Sequence, residues 1–236
     1  MRESIRIGSV RGIAIRLHWS VLAVAGLLAW GLASGYLPAA APGYPATSFW
    51  IVAVVATVCF FASLLAHEVA HSVVAQRRGV PVDRITLWLF GGVAELHTTA
   101  DRPRDELAIA VAGPATSVAV TVAFVGLASL LDGVGAPAVL VAASAWLGLV
   151  NGILAAFNVA PGAPLDGGRI LHALVWERTG DRARATRVAT SSGRTIGWCM
   201  IGSGLALFVL GAWGGLWFAL LGWFLVGAAT AEATHE

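Results

Sequence analysis

The residues of this chain best suited to chemistry stand together in His67-Glu68-Val69-Ala70-His71. Histidines four apart on a helix sit one turn apart on nearly the same face, so both imidazoles can reach one metal ion. Glu68, one step round, can touch a metal-bound water without being a ligand. The chemistry implied is metal-assisted hydrolysis: zinc can bring the pKa of a bound water to about 7, and a carboxylate can take its proton. The run before the motif, from Phe49 to Leu65, carries no charged residue. A glutamate and two histidines are costly at the end of such a run in a bilayer, which makes a functional role the default reading.

Two histidines hold zinc poorly, and a catalytic site needs three protein ligands and one open position. Cys59 precedes His67 by about 12 Å of helix, too far to share its ion, and Cys199 lies in an apolar stretch without polar company. Both cysteines read as packing residues, with no disulfide framework. Asp166 is the better candidate. Pro161 and Pro164 should end the helix before it, and Gly167-Gly168 allow a tight turn and close backbone approach. Such a loop could carry Asp166 back to membrane depth, where irregular backbone is tolerated only under cover of protein or water. The competing reading is an ordinary N-cap for the helix that follows. Asn158 likewise has two readings, a substrate-polarising amide or a residue capping the end of its helix.

The elements that must position these groups are membrane helices. Apolar residues make up 58% of the chain and charged ones 12%, well outside the norm for soluble domains. Six spans are expected, at about 17–36, 49–76, 107–131, 137–160, 196–210 and 213–230. The first is too long, and lacks the small-residue cleavage site, for a signal peptide. All 15 cations are arginines. With six spans every one falls on a single side, and the opposite loops carry only Asp132. Both termini are therefore expected in the cytosol of a multi-pass cell-membrane protein. Arg77 marks the cytosolic end of the second span, which sets the histidines roughly 9–15 Å below that surface. The net charge of +2 reflects this topology and gives no reason to expect a nucleic-acid partner. The arginines from Arg178 to Arg194 read as an anchor on the membrane surface.

Between the second and third spans, the segment 82–97 is not helical by pattern. Gly91-Gly92 between two short β-favouring runs predicts a hairpin, too short to span, dipping into the membrane. Its edge could take an extended substrate as an added strand, or it could be an interfacial loop without such a role. His18 could line the site, though a structural place beside Trp19 is the preferred reading. Glu95 and His97 are expected near the surface, and His172 on a helix face. Gly113 and Pro114 should kink the third span, with Ala112, Thr116 and Ser117 forming a small face that supports the second helix. The glycine-rich fifth and sixth spans could part to admit substrate sideways.

An HExxH on a transmembrane helix followed by Asn158-x-x-Pro161-x-x-Pro164-Leu165-Asp166-Gly167-Gly168 resembles the site-2 protease family of intramembrane zinc metalloproteases, peptidase family M50. Further matches are Leu17-His18-Trp19-Ser20, Phe90-Gly91-Gly92-Val93-Ala94 and Ala112-Gly113-Pro114-Ala115-Thr116-Ser117. The resemblance implies one zinc ion per chain held by His67, His71 and Asp166, with Glu68 as catalytic base and Asn158 holding or polarising the substrate. It implies an all-α polytopic membrane protein of six transmembrane helices, with a short membrane-associated β-hairpin after the second. Residues 1–236 would form a single metalloprotease domain. Relatives of this layout often continue into nucleotide-sensing CBS domains, absent from this sequence. The implied substrates are single-span membrane proteins, for example anti-sigma factors in regulated intramembrane proteolysis. A metal-binding transporter would need polar residues along several spans, which the apolar faces of spans one, five and six oppose. A non-catalytic binder of transmembrane partners would have no need of Glu68.

Overall fold

The computed structural model describes residues 4–88, 91–96 and 100–234. The chain divides into two compact units, one of Met1–Thr99 with Ala112–Ala155, the other of Ala100–Val111 with Ala156–Glu236.

The first unit begins with strands that the sequence reading passed over. In β1 (Ser4–Val10) and β2 (Ile13–His18) apolar and polar residues alternate, and Arg11 and Gly12 between them have φ of 50° and 85°. Two central residues at positive φ make the turn whose twist matches that of a β-hairpin. After α1 (Ser20–Gly31), a π-helical turn (Leu32–Tyr36) leads into the short α2 (Leu37–Ala40), and then α3 (Ala46–Arg77) runs for 32 residues. Strands β3 (Val82–Trp88) and β4 (Gly91–Leu96) form the expected hairpin. Its glycines are not the turn: Gly91 pairs with Trp88 and Gly92 with Leu87, inside β4. The connecting Leu89 and Phe90, like His97, lie outside the described residues. The four strands make one sheet in chain order, with β2 and β3 parallel at its centre. Ile15 pairs with Ile85 and Leu17 with Leu87. Ile13, Ile15, Ile85 and Leu87 are all buried on the same face, as the period of two requires. This sheet departs from an all-α chain.

Helix α4 (Pro103–Gly133) contributes its first turns to the second unit and the rest to the first, which also holds most of α5 (Ala138–Asn158). Pro114 lies within α4. Phe49, Ala53 and Ala56 of α3 pack with Val139, Ala143 and Leu147 of α5 and with Leu32 and Leu37. Gly148 of α5 sits against Val125 of α4, where a Cβ would come within 2.7 Å of a valine methyl. Small residues allow such close approach between helices that share apolar surroundings.

In the second unit, α6 (Asp166–Thr179) ends at Gly180, whose φ of 69° closes the helix in the left-handed region. Asp181 then caps α7 (Arg182–Val209), accepting a hydrogen bond from the Arg184 N–H at 2.9 Å. Helices α7 and α8 (Gly214–Thr234) form an antiparallel pair through a glycine seam. A Cβ on Gly204 would meet Ala219 N and Gly215 O at 2.6 Å, and one on Gly197 would meet Gly222 O at 2.8 Å.

Among the described residues, five helical stretches are long and apolar enough to cross a membrane: Ser20–Ala40, Ala46–Arg77, Pro103–Gly133, Ala138–Asn158 and Gly214–Ala233. Leu22, Ile51, Val58, Val122, Leu149 and Trp223 all stand exposed on them, which fits a lipid surround rather than water. The sequence expects six spans, and the stretch 196–210 is the one that does not qualify. It is the second half of α7, whose first half carries Arg182, Arg184, Arg187 and Arg194.

Candidate metal centre

The 32 residues of α3 carry the HExxH motif to within two turns of its Arg77 end. One helical turn brings the two imidazoles together as the spacing predicts. His67 and His71 are 3% and 6% exposed, and their Nε2 atoms face each other at 3.1 Å. Tetrahedral zinc with Zn–N bonds of 2.0–2.1 Å places two ligand nitrogens about 3.3 Å apart. The rings need move only by tenths of an ångström to share an ion. Glu68 follows on the same helix and is half-buried.

Helix α4 supplies what the motif alone does not. Ser117 Oγ lies 2.9 Å from His67 Nδ1. With Nε2 turned to a metal, the ring hydrogen belongs on Nδ1, which donates it to Ser117 and fixes the tautomer. One turn earlier on the same face is Gly113, where a Cβ would run into the Nε2 atoms of both histidines. The bare backbone at Gly113 and the convergence of two buried nitrogens fit a zinc-binding pocket wall. The sequence placed Ala112, Thr116 and Ser117 on a supporting face. That Ser117 is the hydrogen-bond partner of His67 went unread.

In the second unit, Asp166 is the first residue of α6 and is buried, at 9% exposure. The N-cap position belongs to Leu165, and no side-chain cap is made there, so the ordinary N-cap reading of Asp166 does not hold. The glycines after it are required by contact. A Cβ on Gly167 would strike the Val159 and Ala160 carbonyl oxygens, and one on Gly168 the backbone of Gly162 and Ala163. The loop is fastened to α7, since the Ala163 N–H donates to Ala189 O at 3.1 Å and the Ser192 hydroxyl donates to Pro161 O. Gly193 lies so close to Ala163 O that no side chain fits there. Asn158, half-buried, is the last residue of α5 and also belongs to this unit.

His18 has a local role: its Nδ1 accepts a hydrogen bond from the Ser20 N–H at 3.3 Å, at the start of α1. His172, expected on a helix face, is buried there, with partners on both ring nitrogens.

The profile of peptidase family M50 matches residues 55–138 and 135–200. Rip3 of Mycobacterium tuberculosis, which carries a zinc metalloprotease name, is 47% identical over 236 residues, all of this chain and 60% of the relative. A Synechocystis protein also named as a zinc metalloprotease is 37% identical over 238 residues, covering 100% of this chain and 61% of its own length. The chain thus spans about three fifths of these relatives. The solved structure of the site-2 protease from Methanocaldococcus jannaschii is similar with a TM-score of 0.62 at 27% identity, covering 98% of this chain and 95% of that one. The family match covers more than half of the chain, its ranges take in His67, Glu68, His71 and Asp166, and with the 47% identity to Rip3 the chain belongs to peptidase family M50, of the site-2 protease type.

Proposed function

We propose that this chain is the membrane-embedded part of a zinc endopeptidase that cuts peptide bonds within transmembrane segments of single-span membrane proteins. The observation that carries the reading is the pair of buried Nε2 atoms at 3.1 Å facing Gly113, with Ser117 fixing the tautomer of His67. We take Asp166 as the third ligand, as the family resemblance implies, which gives two imidazoles and one carboxylate, a donor set found in catalytic zinc sites that keep a fourth position open. Bound zinc supplies Lewis-acid activation of water and carbonyl at neutral pH. Glu68 takes the proton from the attacking water and passes it to the departing amine. The Asn158 amide donates a hydrogen bond to the scissile carbonyl oxygen as charge grows there.

A helical substrate shields its peptide bonds and must unwind before it is cut, which frees backbone groups that need partners. Strand β4 is an outer strand of the sheet, and we assign its edge to receiving the unwound segment as an added strand. The membrane-anchored regulators of transcription, anti-sigma factors among them, are the substrate class we favour, following the family resemblance. The apolar half of α7 is the additional crossing, for six in all with both termini cytosolic. The antiparallel seam with α8 supports this, since it sets residues 197–204 beside residues 215–226 of an apolar helix.

The test is cleavage of a single-span substrate by purified protein in detergent, beside Glu68→Gln with equal zinc content. The parent should cut and the variant should be slower by about 10²–10⁴-fold, the range for loss of a general base. Equal rates would overturn the role of Glu68.

A further inference from the structure

Three helical segments of the second unit meet at His172. Its Nδ1 lies 2.9 Å from Glu106 Oε2 on α4, and its Nε2 lies 3.2 Å from Thr186 Oγ1 on α7. The histidine is 8% exposed and the Glu106 side chain 14%. Buried ring nitrogens are costly to leave unmatched, and here both have partners. The Thr186 hydroxyl also lies 3.2 Å from the Arg182 carbonyl oxygen one turn before it, which ties it into α7. The pair on Nδ1 and Nε2 therefore links His172 to α4 and α7 at once.

The hydrolysis proposed above uses none of these groups. What they hold is α6, the helix that opens with Asp166, less than two turns before His172. At its start α6 is stacked on the loop through Gly167 and Gly168. Toward its end it has two contacts nearer the surface, Arg104 Nε to Glu177 Oε1 at 2.7 Å and Arg182 over Trp176 at 5.0 Å. Solvent-exposed ion pairs orient a helix weakly. Between its two ends, His172 is a buried polar fastening of α6.

We propose that His172 is a positioning residue for the metal centre: tied to Glu106 and Thr186, it fixes the axial rotation of α6 and with it the direction of the Asp166 carboxylate. This rests on the reading of Asp166 as the third ligand. Groups that orient a ligand typically cost 10–100-fold in metal affinity when lost.

The test is zinc affinity of the purified full chain by chelator competition, with thermal melting of each variant alongside. His172→Ala should bind zinc about 10–100-fold more weakly. His172→Asn, whose amide nitrogen can take the place of Nδ1 toward Glu106, should recover part of the loss. In an Asp166→Ala background, His172→Ala should cost nothing further. A His172→Ala affinity within threefold of the parent, while Asp166→Ala is weakened, overturns the positioning role and leaves Asp166 a ligand. Undiminished affinity in Asp166→Ala alone overturns the ligand reading itself. Additive losses in the double variant mean general damage to the fold and also overturn the proposal. Should His172→Ala fail to fold, Thr186→Val carries the same comparison, with weaker zinc binding expected in the parent background and none further in the Asp166→Ala one.

Discussion

Ser117 and Gly113 decide whether two histidines on a helix make a metal pocket or merely a pair of buried rings. With a metal on Nε2, Ser117 accepts from His67 Nδ1 and so holds the tautomer whose Nε2 offers its lone pair. We expect Ser117→Ala to weaken zinc binding by about 10–100-fold, while Ser117→Thr, which keeps a hydroxyl, stays near the parent. Chelator competition measures both. At Gly113 even a methyl group meets the Nε2 atoms of both histidines. Gly113→Ala should therefore lose most of its zinc at equal protein concentration, read as metal content after gel filtration. The histidines were legible in the sequence because contacts at four-residue spacing are local. Their support was not, because the Ser117 hydroxyl reaches His67 across a separation of 50 residues. A stripe of small residues announces close packing without saying which of them will hydrogen-bond.

Elements differ in how much of themselves they show in advance. Five of the six expected membrane spans are long runs of one character and are plain in the sequence, while 196–210 is the second half of a helix that begins among arginines. The loop before Asp166 was legible too, because two prolines and two glycines have few conformations in common. The hairpin of β1 and β2 was missed although Ile5, Ile7, Ile13, Ile15 and Leu17 alternate with polar or small residues. The alternation is short and is broken by the register shift between Arg6 and Gly8. In the second hairpin, Gly91 and Gly92 were assigned to the turn for their freedom, yet they pair within β4. The structure makes Gly12 the glycine that matters for turning, at φ 85° with open space around it. Gly12→Ala should destabilise that hairpin by about 1 kcal/mol, seen as faster amide exchange in β1 and β2 with the helices unchanged. Gly193 makes the opposite case, since its neighbours forbid a side chain at any φ. Gly193→Ala should push the loop off α7 at a cost of about 1–3 kcal/mol. Peptide cleavage should fall with it if the loop aims Asp166, and a variant that melts earlier yet cleaves at the parent rate would separate the two effects.

At the scale of the whole molecule, the number of crossings decides on which side the chain ends. Five crossings leave the termini on opposite faces, and six leave them on the same face. The arginines do not choose between these, because every one precedes the apolar half of α7. The seam does bear on it. Gly204 meets Gly215 and Ala219, and Gly197 meets Gly222 and Val226, so whatever depth α8 occupies, the facing half of α7 shares it. From Thr195 to Val209 α7 carries no charge over 15 helical residues. At 1.5 Å per residue this gives about 22 Å, most of the hydrocarbon thickness of about 30 Å, with the uncharged Leu210–Trp213 making the turn. A helix lying flat on the membrane surface would leave α8 with no antiparallel partner at its own depth. We therefore propose six crossings, with the turn at 210–213 on the side away from the arginines. The check is a pair of reporter fusions after residue 234, one fluorescent only in the cytosol and one enzymatically active only outside it. We expect fluorescence without outside activity. The reverse pattern would return α7 to the cytosolic surface and overturn the sixth crossing.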